Sequence, residues 1–138
     1  MPTAPRKTPS APAKRPVATA AGARPPQARF RMRVLAGGVN AIGPGKIDLL
    51  EAIRATGSIT SAAKSLDMSY RRAWLLMDEL NRSLREPAVE SAKGGQSGGG
   101  SELTALGIEL IETYRRIEDT AARSCAADIK RLVGMVVP

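Results

Sequence analysis

Residues 57–84 read GSITSAAKSLDMSYRRAWLLMDELNRSL, and their spacing decides the fold. Gly57 stops a preceding helix, and Ser58 or Thr60 caps a short one that runs to Leu66. Asp67-Met68 leaves room only for a tight connection, and aspartate tolerates the left-handed conformation such a turn demands. Ser69 then caps a third helix running to about Leu84, with Ala73, Leu76 or Met77, Leu80 and Leu84 as its apolar stripe. Ala62 and Ala63 are small enough for the two helices to approach closely. Ile59 anchors the start of the shorter helix, while Leu66 and Met68 plug the gap below the turn. Two helices joined in this way form a helix-turn-helix, whose second member is free to enter the major groove of a duplex.

The flanks extend the pattern. Residues 46–56 set Ile47, Leu50 and Ile53 on one helical face, with Leu49 at its edge, and Pro44 in the preceding Gly43-Pro44-Gly45 turn opens that helix. Residues 29–35 read RFRMRVL, in which Phe30, Met32 and Val34 alternate with arginines. This is the period of a half-exposed strand, ended by Gly37 and Gly38. On the other side Pro87 forbids simple helix continuation. Residues 88–91 then predict a strand, Glu102-Leu103 the start of its partner, and residues 93–100 the glycine-rich loop between them. Thr104 caps a long helix with Leu106, Leu110, Ile111, Tyr114 and Ile117 at helical spacing. It continues, or breaks near Arg123, before Ile129, Leu132 and Val133. The expected fold class is mainly α with a small β-hairpin, a winged helix-turn-helix with a long C-terminal helix. Residues 1–28 read as a disordered, basic, Pro/Ala-rich tail, 29–122 as the winged helix-turn-helix, and 123–138 as a helical extension.

Composition narrows the chemistry. The chain has no histidine and one cysteine, Cys125. Dyads and triads with a histidine base are excluded, as are a Cys/His zinc site and an intramolecular disulfide. No paired-carboxylate or nucleophile arrangement is present, so neither an enzyme nor a cofactor or metal is expected, and a lone thiol suits a reducing cytoplasm. No apolar run approaches ~20 residues, so no membrane span is expected. Residues 1–33 hold eight basic and no acidic side chains, whereas residues 34–138 hold thirteen of each. The net charge of +8 therefore sits in the N-terminal quarter, and duplex binding by the folded part has to be argued from local placement. The tail itself reads either as an arm that attracts nucleic acid or as a solvated extension, and its basic, acid-free composition also suits a transit peptide.

The apolar stripe of the third helix leaves Ser69, Tyr70, Arg71 and Trp74, with Arg72 or Leu75 beside them, around its N-terminal outer face. Arginine pairs bidentately with guanine, and serine or tyrosine hydroxyls meet phosphate or base. Two arginines at a helix N-terminus oppose the helix dipole, a small cost that an external anion offsets. Taken alone, Arg71 and Arg72 also read as a solvated face, and Trp74 as a core or dimer contact. Ser58, Thr60, Ser61 and Lys64 of the supporting helix complete the candidate set, with Lys93 and Gln96 of the glycine-rich loop. Lys93 precedes the glycines and no helix follows them, so the loop is not read as a nucleotide-binding P-loop.

Three separated blocks carry a family resemblance. They are GPGKIDLLEAI at 43–53 with TGSITSAAK at 56–64, then MSYRRAWLL at 68–76 with Glu79-Leu80-Asn81, and finally the glycines at 94–100 with LTALG at 103–107. Together they resemble the N-terminal domain of ModE-type, molybdate-responsive transcriptional regulators, which are related to the LysR-type DNA-binding module. The resemblance covers residues 31–116. It implies a homodimer on an imperfect palindrome of double-stranded DNA, with Ser69 to Trp74 in the major groove and the wing, including Lys93 and Gln96, along the backbone. Full-length members sense molybdate through separate C-terminal domains. The chain ends at Pro138, so molybdate is not expected to bind it. A winged-helix protein-interaction module without sequence-specific DNA binding is the competing expectation.

Overall fold

The structure, a computed structural model, describes residues 24–92 and 100–138. Residues Phe30–Ser124 form one compact body. Its elements are strands β1 (Val34–Ala36) and β2 (Val39–Ile42), helices α1 (Pro44–Thr56), α2 (Ile59–Ser65) and α3 (Tyr70–Ser83), strands β3 (Val89–Ser91) and β4 (Ser101–Leu103), and helix α4 (Ala105–Ser124). A separate helix, α5 (Ala126–Val133), follows a break at Cys125 and buries none of its residues. Among the described residues no helix is long and apolar enough to cross a membrane.

Helix α1 is the centre of the core. Ile47, Leu49, Leu50 and Ile53 are all fully buried, each burial stabilising by about 1.5–3 kcal/mol. Leu49 thus belongs to the core itself, not to its edge, because α1 is covered by both α2 and α4. Pro44 begins the helix, and Gly57 ends it at φ 86° with its N–H donating to Ile53 O at 2.8 Å. Ala62 and Ala63 of α2, Ala73, Met77 and Leu80 of α3, and Ile111 and Tyr114 of α4 complete the core with Ala88 and Val89. Of the two candidates for the α3 stripe, Met77 is buried and Leu76 half-buried. A β-carbon on Gly107 would collide with the Ala88 carbonyl, so glycine lets α4 run against the backbone that leads into β3.

The strand expected over residues 29–35 is corrected. Residues 30–33 are not in a strand, and Phe30 is exposed, although Met32 packs on the core and its carbonyl accepts from the Tyr114 hydroxyl at 2.8 Å. The strand is Val34–Ala36, and it turns back on Val39–Ile42 as an antiparallel hairpin pairing Ala36 with Val39 and Leu35 with Asn40. Gly37 and Gly38, read as a terminator, are the two-residue turn, with φ of 57° and 85°. Positive φ at both positions gives the turn whose twist matches that of paired strands. The second hairpin, β3–β4, pairs Val89 with Leu103 and Ser91 with Ser101.

Candidate nucleic-acid interface

The site is assembled by local rules first. The Ser58 hydroxyl oxygen accepts from Ser61 N at 3.0 Å and caps α2, which settles the choice between Ser58 and Thr60. At the other end Met68 N donates to Ala63 O at 3.0 Å and Asp67 N to Lys64 O at 3.1 Å, with Asp67 at φ 56°. This is a Schellman motif that uses aspartate where glycine is usual. The next residue, Ser69, is extended, and its hydroxyl oxygen accepts from Arg72 N at 3.1 Å to cap α3. Helix, turn and helix therefore follow with no spare residue.

These caps decide what α3 presents. Ala73, Met77 and Leu80 face the core, while Ser69, Tyr70, Arg71, Arg72, Trp74 and Leu75 are exposed, Tyr70 by 53%, Trp74 by 44% and Leu75 by 48%. Trp74 is thus not a core residue. Thr60, Ser61 and Lys64 are also exposed, but Ser58 is half-buried and its oxygen is engaged in the cap. Lys93 and Gln96 lie outside the described residues.

Charge along α3 is polarised. Among the described residues, neither Arg71 nor Arg72 is in a salt bridge. Both carboxylates further along the helix are matched, Asp78 by Arg82 at 3.0 Å and Glu79 by Lys46 at 2.6 Å. The unmatched charge at the start of α3 is positive, and the charges that would repel a phosphate are paired. Beside the helix, β3–β4 forms a groove of about 220 Å³ with it, lined by Trp74, Asp78, Asn81, Glu90, Ser91 and Ser101. Among the described residues no group of three or more His, Cys, Asp or Glu is placed to hold a metal ion.

Two residues went unassigned by sequence reasoning. Asn81 bridges α3 to the start of β3 through its carboxamide, and Lys46 is buried beneath α3. The signal available for Asn81 was a poor helix former in a helix interior shortly before Pro87; for Lys46 there was none. Away from α3, in the seam between α1 and α4, Arg115 of α4 grips Glu51 of α1 with two bonds, Nε to Oε2 at 3.0 Å and Nη2 to Oε1 at 2.6 Å, and also reaches Asp48 and Glu118. The bonds from Arg115 hold the Glu51 carboxyl below the usual glutamate range despite partial burial. Burial holds the Tyr114 hydroxyl above the usual tyrosine range.

No family model matches the chain. It is 40% identical over 91 residues to the molybdenum-pterin-binding protein MopB of Rhodobacter capsulatus, covering 66% of this chain and 34% of that protein. It is 42% identical over 78 residues to the molybdenum transport protein ModE of Azotobacter vinelandii, covering 56% of this chain and 29% of that one. Against the DNA-binding transcriptional dual regulator ModE of Escherichia coli (strain K12) the identity is 42% over 71 residues, or 51% and 27% of the two chains. The chain thus spans about a third of the length of the curated relatives it matches. Among solved structures, the CbnR_DBD–DNA complex aligns with a TM-score of 0.50 and 29% identity, over 65% of this chain and 95% of that one. The relatives are ModE proteins and the Mop molybdenum-pterin-binding proteins, in agreement with the motif resemblance.

Proposed function

We propose that the chain is a sequence-specific, DNA-binding transcriptional regulator of the ModE/LysR-like winged-helix type. The observation that carries this is the outward N-terminal turn of α3, where Arg71 and Arg72 stand unmatched between Tyr70 and Trp74 while the acidic groups of the same helix are paired. The similarity to a DNA-bound domain supports it. Ser69 to Trp74 would enter the major groove, with Arg71 reading a base edge and Thr60, Ser61 and Lys64 of α2 meeting the phosphates. Ser58 serves the interface through its cap. Lys93 and Gln96 are assigned to backbone contacts from the wing. The protein would act in the cytoplasm, without catalysis and as a homodimer on a palindrome, its two α3 helices ~34 Å apart.

Selection of bound sites from random duplex DNA, with and without molybdate, tests this directly. The native chain is expected to select a palindrome, with affinity falling steeply as salt rises. Arg71→Ala is expected to cost about 1–3 kcal/mol on that site and to relax preference at one base pair of each half. A shallow salt response with no selected sequence would instead favour the protein-interaction module.

A further inference from the structure

Asn81 is the unusual residue of α3. It lies in the helix interior, where asparagine is a poor former, and is half-buried. Its Oδ1 accepts from Ala88 N at 2.8 Å and from Val89 N at 3.4 Å, and its Nδ2 donates to Val89 O at 3.1 Å. One side chain thereby holds both the donor and acceptor sides of the backbone where β3 begins. Pro87 has no N–H, so these are the first donors of that segment.

The hairpin has other ties, but they lead elsewhere. Thr104 N donates to Ala88 O at 2.9 Å, and the Thr104 hydroxyl donates to Pro87 O at 2.7 Å, which joins the segment to the start of α4. Ser101 N donates to Gly57 O at 2.8 Å, which joins β4 to the end of α1. Among the described residues, Asn81 is the only α3 side chain hydrogen-bonded to the hairpin. It lies two helical turns beyond Trp74 on the same flank, and both line the groove between α3 and the strands.

We infer that Asn81 is a positioning residue for duplex binding, setting the β3–β4 hairpin at a fixed distance from α3 so that both meet one duplex. This rests on the DNA-binding reading above. Without Asn81 the hairpin stays hydrogen-bonded to α1 and α4 and packed on the core, while its hydrogen-bonded link to α3 is cut. Contacts made by the helix then persist, and contacts made by the hairpin lose their register with them.

The test uses the full chain, native and as Asn81→Ala and Asn81→Asp. Each is titrated with the duplex selected by the native protein over roughly 50–200 mM salt. Amide exchange is followed at Ala88 and Val89, with Ile53 and Leu80 reporting on the core. In Asn81→Ala the Ala88 and Val89 amides should lose protection while Ile53 and Leu80 keep theirs. Affinity should fall about tenfold, the salt slope should shrink by about 1, Lys93 being the hairpin's one cation, and base preference should stay native, since each lost phosphate contact removes ~0.9 from the slope. Asn81→Asp keeps the acceptor for the Ala88 and Val89 amides but loses the donor to Val89 O and sets a carboxylate oxygen against it. Protection at 88 and 89 should therefore be partly kept, and affinity and slope should fall less than in Asn81→Ala. Open Ala88 and Val89 amides with native affinity and slope overturn the proposal, as does loss of base preference in Asn81→Ala with the core intact. Should Asn81→Ala lose its core protection, Asn81→Asp decides alone, and a reduced slope beside fully protected amides overturns it. A native chain that binds no duplex sinks the DNA-binding reading itself; native binding left unchanged by Asn81→Ala sinks only the positioning role.

Discussion

Lys46 shows how much one side chain can be asked to do. It is only 4% exposed, yet its ammonium pairs with Glu79 at 2.6 Å and donates to the carbonyls of Asn40 at 2.5 Å and Ala41 at 3.4 Å. All three donors are used, the condition on which a buried cation is tolerated. The lysine ties α1 to β2 and to the back of α3. Lys46→Met should destabilise by about 1–3 kcal/mol, because two carbonyls and a carboxylate lose their partner. Urea unfolding reads this as a lower midpoint at constant slope, and an unchanged midpoint would refute the tripod's importance. Glu51 makes a pH-dependent contribution. Its carboxyl titrates lower in the folded chain than in the unfolded one, so the unfolded state binds more protons in that window. The contribution is present above about pH 4–5, where an unfolded glutamate is ionised, and is lost as pH falls through the lowered folded value. Solvent screens this half-exposed pair, so Glu51→Gln should cost under about 1 kcal/mol at neutral pH. The gap between native and variant midpoints should close in acid, and a gap that is constant with pH would contradict the assignment.

At the scale of elements, signals confined to one turn of chain were readable and pairings were not. Ser69 and Thr104 are caps, Asp67 is the left-handed residue, and Gly57 stops α1, each as its residue type suggests. The hairpin β1–β2 was missed because a Gly-Gly pair serves equally as a stop and as a turn, and only the return of Val39–Ile42 onto Val34–Ala36 distinguishes them. The second hairpin carries a mismatch that no window of sequence displays. Glu90 and Glu102 are direct cross-strand partners, both exposed. Like charges opposite one another weaken a strand pair, and opposite charges stabilise it by about 0.2–1 kcal/mol. Glu102→Lys should therefore raise the protection of the Glu90 and Ala92 amides in hydrogen exchange, which face the partner strand, Ala92 N donating to Gly100 O at 3.0 Å. Faster exchange in the variant would show that the carboxylates do not oppose each other in solution.

For the whole molecule, the balance of charge and of apolar surface sets what the body needs from a partner. Residues 34–138 carry equal numbers of acidic and basic groups, so affinity for DNA must come from placement. Apolar residues meanwhile remain uncovered, Leu35 by 65% with Val34 and Val39 beside it in β1–β2, and Ile117 by 44% on α4. We propose these two elements as the contacts of a two-fold dimer. Leu35→Glu and Ile117→Glu should shift sedimentation towards the monomer. Both should also weaken binding to a palindrome by tenfold or more, at about 1.4 kcal/mol per decade, with little effect on a single half-site. If both variants sediment and bind as the native chain does, the dimer surface lies elsewhere.

The order of helices, the caps between them and the outward start of α3 were written in the chain, because capping, turn chemistry and helical periodicity act between residues a few positions apart. Burial of Leu49 and Lys46, the span of Asn81 to Ala88 and Val89, and the grip of Arg115 on Glu51 arose only in three dimensions. Each joins groups from different elements, and a side chain is buried or paired according to what the rest of the fold brings against it.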